Sequence, residues 1–152
     1  MAVSQTVGTT QVKRRANDAI RQFNNEDRSG FTVSDDGKPV TPDTGYIVTI
    51  TNDTFAGTLT AGMIRRFIQR FASLFTLFDN VYVGTFQDYD GYKSIDLNIK
   101  VEDKETATRL GKRFNQKAVW DCENHESVPT GGNGKGMIES PVEAAKIIRD
   151  IQ

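Results

Sequence analysis

A chain of 152 residues, 37% of them hydrophobic and 26% charged, is long enough to bury a core without disulfides or metals, and its overall composition is that of a globular rather than an intrinsically disordered chain. Nineteen basic against 20 acidic residues leave a formal net charge of -1, which excludes bulk attraction to nucleic acid or anionic lipid and leaves such binding to a local patch. A lone cysteine, Cys122, excludes an internal disulfide framework, and no apolar run approaches the roughly 18 residues of a membrane span.

The opening MAVSQTVGTT has neither the basic start nor the apolar stretch of a secretory signal, so a cytoplasmic protein is expected. Residues 1–9 read as a flexible arm and residues 10–24 as an N-terminal helix. Thr10 supplies its cap, and Val12, Ala16, Ile20 and Phe23 recur at helical spacing. The stretch NNEDRSG ends it. FTVSDDGKPVTPDTG follows, with the turn signal Asp36-Gly37, while Pro39 and Pro42 exclude a central strand. It reads as a short ribbon or ordered loop at a sheet edge.

From Gly45 the pattern sharpens. YIVTITN, Tyr46 to Asn52, is β-branched and alternating, as a strand requires. LTAGMIRRFIQRFASLFTLF predicts one helix, with Ile64, Phe67, Ile68, Phe71, Phe75 and Phe78 along its inner side and Arg65, Arg66, Gln69, Arg70 and Ser73 on another. Asp79-Asn80 breaks it, VYVGTF predicts a strand, and QDYDG a turn. In YKSIDLNIKV, Ile95, Leu97, Ile99 and Val101 take one face of a strand, with Asp96, Asn98 and Lys100 on the face away from the core. Asp103 caps the next helix, DKETATRLGKRFNQ, where Gly111 on the inner face implies close approach to the sheet. KAVWDC is a further strand. SPVEAAKIIRDI, residues 140–151, is a C-terminal helix with Ser140 as cap, Pro141 at its first position and Glu143 three residues after the cap.

Residues 45–122 thus run strand, helix, strand, strand, helix, strand. This order predicts an α+β, ferredoxin-like βαββαβ arrangement, a four-stranded antiparallel sheet with two helices on one face. With the N-terminal and C-terminal helices added, residues 1–152 read as a single domain.

The glycine-rich stretch VPTGGNGKGM is the nearest approach to a chemical motif. A P-loop would need glycine where Pro129 stands and a hydroxyl residue where Gly136 follows Lys135; a dinucleotide fingerprint lacks its parallel strand. Residues 128–139 therefore read as a linker, with the ordering of 131–136 on a ligand left open. His125 lies near Cys122 in DCENHE, but the neighbouring carboxylates oppose a thiolate and the spacing matches no zinc site. The pair reads as a buried strand-end cysteine and a surface histidine. Asp35-Asp36, Asp88-Asp90 and Glu102-Asp103 sit where turns and helix starts favour aspartate, so no acid–base pair is assigned. Neither a cofactor nor a metal is called for.

The basic residues carry more. Lys13, Arg14 and Arg15 make the first helix locally positive, and Arg65, Arg66 and Arg70 do so for the longest one. They are the candidate contact residues for an acidic protein surface or a phosphate backbone, against the plainer reading of solvated helix faces. Base stacking on the sheet is not expected, because the central strand lacks the aromatics.

Two segments, GFTVSDDGKPVTPDTGYIVTI and VGTFQDYDGYKSIDLNIKVEDKETATRLGKRFNQKAVWDCENHESVPTGG, carry the pattern VGT, IDLNI, A..LG..FNQ.AVWD and TGG. In it the chain, from about Gly30 to Gly132, resembles small proteins of tailed bacteriophages and related mobile elements. The resemblance implies a phage setting and supplies neither a reaction nor catalytic residues. The expected protein is a non-enzymatic phage accessory factor in the cytoplasm of a bacterial host. Its partner is a macromolecule, a host or defence protein in the leading reading. A virion component, a nucleic-acid binder using the basic helix faces and a nucleotide-binding enzyme are the alternatives. In FNQKAVWD, Asn115 and Gln116 make the helix-to-strand turn, with the Gln116 amide serving backbone groups at the helix end; presentation of Gln116 and Trp120 to a ligand is the other option.

Overall fold

A computed structural model describes residues 30–33, 39–40, 42–56, 60–78, 80–87, 92–135 and 140–152. The arm expected over 1–9, the helix expected over 10–24 and the turn at Asp36-Gly37 lie outside the described residues. The described elements are β1 (Gly30–Val33), β2 (Pro39–Val40), β3 (Tyr46–Ala56), α1 (Ala61–Arg70), α2 (Ala72–Leu77), β4 (Val81–Gln87), β5 (Tyr92–Val101), α3 (Lys104–Arg113), β6 (Ala118–Asp121), β7 (Glu126–Pro129) and α4 (Pro141–Ile151). The class is α+β. The strands follow the order β2-β1-β4-β5-β3-β6-β7, so among the described residues the sheet has seven strands where the sequence predicts four. The pairings β1–β2, β1–β4, β3–β6 and β6–β7 are antiparallel.

The described residues divide into two compact units, those within 30–40 and 53–96 and those within 42–52 and 97–152, so that β3 and β5 each give one part to either unit. In the first unit, β1 pairs with β2 through Thr32 opposite Val40 and with β4 through Thr32 opposite Gly84. The proline-bearing ribbon is a sheet edge, where a missing ladder donor is tolerated. Thr60 caps α1, its hydroxyl accepting from the Met63 N–H at 3.2 Å. The single long helix read from the sequence is two. The Phe71 N–H donates to Ile68 O and the Leu74 N–H to Phe71 O, at 3.2 and 3.0 Å, a tightened turn at which α1 gives way to α2. The break shifts the helical phase: Ile64, Phe67, Ile68, Phe71 and Leu74 are buried, while Phe75 and Phe78 are half-buried. Leu74 therefore takes the inward place that an unbroken period gives to Phe75.

The second unit is built on Val48 and Ile50 of β3, Leu97, Ile99 and Val101 of β5, and Val119 and Val128 of the β6–β7 hairpin, all buried. From α3 come Ala107, Leu110 and Gly111, followed by Phe114; from α4 come Ala144, Ala145, Ile147 and Ile148. Burying each large apolar side chain in such a core contributes about 1.5–3 kcal/mol. The caps read from the sequence are in place. Asp103 Oδ2 accepts from the Thr106 N–H at 2.8 Å, and Ser140 Oγ from the Glu143 N–H at 3.3 Å. Gly111 lies so close to its neighbours that a Cβ there would stand 2.7 Å from both Val119 Cγ1 and Thr130 Cγ2. Asn98 departs from expectation. It is buried, with its carboxamide oxygen accepting from Thr49 Oγ1 at 2.9 Å, so that this part of the second sheet face is not a solvent surface.

Candidate functional site

The C-terminal end of α3 sets the geometry of the glycine-rich stretch. A helix stops cleanly when the residue after its cap adopts a left-handed conformation and the last carbonyls find donors. Asn115 has φ 57°. Its N–H donates to Lys112 O at 3.0 Å and the Gln116 N–H to Gly111 O at 2.8 Å, the paired bonds of a Schellman ending. Asparagine is the side-chain-bearing residue best suited to that conformation. Gln116 Nε2 reaches Phe114 O at 3.4 Å, the helix-end contact expected of it.

Onto this turn the stretch following β7 is fastened. The Thr130 N–H donates to Lys117 O at 3.0 Å, and its hydroxyl donates to Gln116 O. The Gly132 N–H donates to Thr130 Oγ1 at 3.0 Å and the Asn133 N–H to Asn115 Oδ1 at 3.1 Å. The Gly134 N–H donates to Asn115 O at 2.7 Å and the Lys135 N–H to Asn133 Oδ1 at 2.9 Å. Asn115 Nδ2 completes the clasp by donating to Asn133 Oδ1 at 2.6 Å and to Lys135 O. A phosphate cradle needs successive backbone N–H groups turned toward a ligand. Here four in a row, from residues 132 to 135, are already spent within the chain. The expected linker over 128–139 is also corrected at its start, since Val128 and Pro129 belong to β7.

Two glycines make the clasp possible. Gly134 has φ 77°, and a Cβ on Gly132 would stand 2.3 Å from Gln116 O. The sequence points to the glycines but not to Asn115 and Asn133, 18 positions apart and joined only when the hairpin folds back. An asparagine at the junction of a predicted helix and strand was the one available signal.

The β6–β7 hairpin accounts for Cys122 and His125. The buried Asp121 carboxylate accepts from the N–H groups of Glu123 and Asn124, both at 3.0 Å, and from Asn124 Nδ2 at 2.9 Å. These bonds, led by the Asn124 side chain, hold its pKa below the ordinary carboxylate value. Burial, then the Asp121 charge, raises that of the opposite Tyr46. Cys122 is buried, and desolvation first among causes pushes its thiol up, which opposes a nucleophilic role. His125 is exposed, holds a left-handed φ of 55° in the turn, and has its ring 6.4 Å from that of Trp120. Trp120 itself is 43% exposed. Glu102 pairs with Lys100 at 2.8 Å and Asp103 caps α3, so that pair has structural roles. Asp35, Asp36, Asp88 and Asp90 lie outside the described residues. Among the described residues no group of three His, Cys, Asp or Glu side chains could hold a metal ion.

Of the six basic candidates, Lys13, Arg14 and Arg15 lie outside the described residues. Arg65, Arg66 and Arg70 are on α1. Arg66 and Arg70 are exposed, with the Arg70 guanidinium carbon 4.9 Å from the Phe71 ring centroid. Arg65 is half-buried, and its Nε is enclosed with no hydrogen-bond partner. Residues 60–78 contain no Asp or Glu at all.

No protein-family model matches the chain, and no curated protein or solved structure matches it either. No helix among the described residues is long and apolar enough to cross a membrane.

Proposed function

We propose that the protein acts by binding a macromolecule, a protein with an acidic surface, through the outer face of α1. The observation that carries this reading is the exposure of Arg66 and Arg70, one helical turn apart on α1. A planar guanidinium pairs two-pronged with carboxylate or phosphate, and several on one helix give both orientation and encounter rate. The setting we infer is a phage-infected bacterium, with the protein in the host cytoplasm and a host or defence protein as its target; the sequence resemblance supports it.

We also infer the finer topology of the fold. The order β4-β5-β3-β6 within the sheet supports a ferredoxin-like βαββαβ frame to which β1, β2 and β7 have been added.

The experiment is affinity capture from bacterial lysate, with and without nuclease, comparing the natural chain with an Arg66→Glu/Arg70→Glu double variant checked for unchanged circular dichroism. Loss of at least about tenfold of a nuclease-resistant partner is expected. Unchanged capture removes α1 from the interface. The same arginines also favour phosphate, so nucleic acid is the second reading. It requires recovery that nuclease abolishes and an affinity that falls steeply with salt.

A further inference from the structure

We propose that Asn133 is a site of spontaneous modification, a deamidation held back by the Asn115 clasp. Asn133 is the one asparagine in the chain followed by glycine. The chemistry is general to that pair. The Gly134 amide nitrogen attacks Asn133 Cγ, a five-membered succinimide closes, and ammonia leaves. Water then opens the ring at either carbonyl, giving aspartate or isoaspartate, with no redox change. Glycine in second place presents no side chain to hinder the attack. Asn133 and Gly134 are both exposed, so water has access.

The fold restrains each participant. The nucleophile is occupied, because the Gly134 N–H donates to Asn115 O at 2.7 Å. The electrophile is fixed in orientation, because Asn133 Oδ1 accepts from Asn115 Nδ2 at 2.6 Å and from the Lys135 N–H at 2.9 Å. Ring closure needs the Asn133 side chain to swing toward its own C-terminal amide, which breaks both bonds. The reaction therefore proceeds from a locally opened state, and its rate is the intrinsic rate multiplied by the fraction of time the clasp is open.

The two products differ in consequence. Aspartate keeps two acceptor oxygens for Asn115 Nδ2 and the Lys135 N–H, so it leaves the clasp closed. Isoaspartate inserts an extra methylene into the backbone between positions 133 and 134. That displaces the Gly134 N–H from Asn115 O, to which it donates in the closed clasp. Once formed, isoaspartate holds the clasp open.

The full chain is incubated in mildly alkaline buffer, folded and in guanidinium chloride, and the mass increase of one unit at Asn133 is followed by peptide mapping. The folded chain is expected to react at least about tenfold more slowly than the unfolded one. Asn115→Asp, which keeps a residue tolerant of the left-handed turn but replaces the Nδ2 donor by an oxygen, is expected to close most of that gap while folded. Hydrogen exchange of the Gly134 amide in the natural chain gives the open fraction directly, and its protection factor is expected to match the retardation. Equal rates in folded and unfolded chain overturn the proposal, as does a retardation that exceeds or falls short of the Gly134 protection by more than about tenfold.

Discussion

The helices α1 and α3 have the same length, ten residues, and both are followed by a buried phenylalanine, Phe71 and Phe114. They end by different means. After Phe114, Asn115 turns left-handed, two backbone bonds close the helix, and a loop from beyond the hairpin locks onto the turn. After Phe71 no polar residue intervenes; one tightened turn leads straight into α2, and the only lasting effect is a change of helical phase. The first ending is made by specific side-chain and backbone hydrogen bonds, the second by what the core accepts. One is therefore sensitive to single atoms at a few positions, the other to the volume of the side chain that fills the inward place.

The contrast breaks most sharply at Gly132. A methyl group there meets the Gln116 carbonyl oxygen at 2.3 Å and the carbonyl carbons of Asn115 and Gln116 at 3.0 Å, all backbone atoms that cannot rotate away. Gly132→Ala is expected to cost more than about 3 kcal/mol in urea denaturation. A cost below about 1 kcal/mol means that the loop is not seated on the turn as described. At the other helix ending the test is a pair. Leu74→Ala, at a fully buried position, is expected to lose about 3 kcal/mol, and Phe75→Ala, half-buried, about half of that. The reverse ranking would restore an unbroken helix through Phe71.

The smallest effect concerns acid. Asp121 has a folded-state pKa below its ordinary value of 3.8, because Asn124 and the turn N–H groups stabilise the carboxylate. Its contribution to stability is therefore complete above pH 3.8 and is lost as pH falls through the lower folded-state value. Asp121→Asn is expected to flatten the acid side of the stability profile without altering its shape above about pH 5. An unchanged acid limb would place the acid sensitivity elsewhere.

Elements whose own residues dictate them were legible in the sequence. The β-branched run from Tyr46, the alternation from Ile95 to Val101, the Asp103 and Ser140 caps and the close packing at Gly111 all stand where the pattern puts them. What escaped depends on partners far along the chain. Glu126–Pro129 has one buried apolar residue, Val128, and a proline, so nothing local marks it as a strand; it is one because β6 lies alongside. Asn98 follows the period-two rule that puts polar residues outward, yet it is buried with Thr49 as its partner. The break at Phe71 has no glycine, proline or polar signal, so the unbroken period puts Phe75 inward where the structure buries Leu74. For the candidate site, the arginines are legible as a basic cluster from charge and spacing, whereas Asn115 and Asn133 become neighbours only through the hairpin.

Pro129 has a bearing on recognition. Since the Thr130 N–H points to β6, donating to Lys117 O, the preceding residue presents its nitrogen to the opposite side, and there proline has nothing to donate. The outward rim of β7, four residues long, is left with the Ser127 amide as its single hydrogen-bond donor. An incoming extended peptide would find too few rungs to continue the ladder at this margin. Misfolded copies are thereby offered a poor templating edge along these four residues.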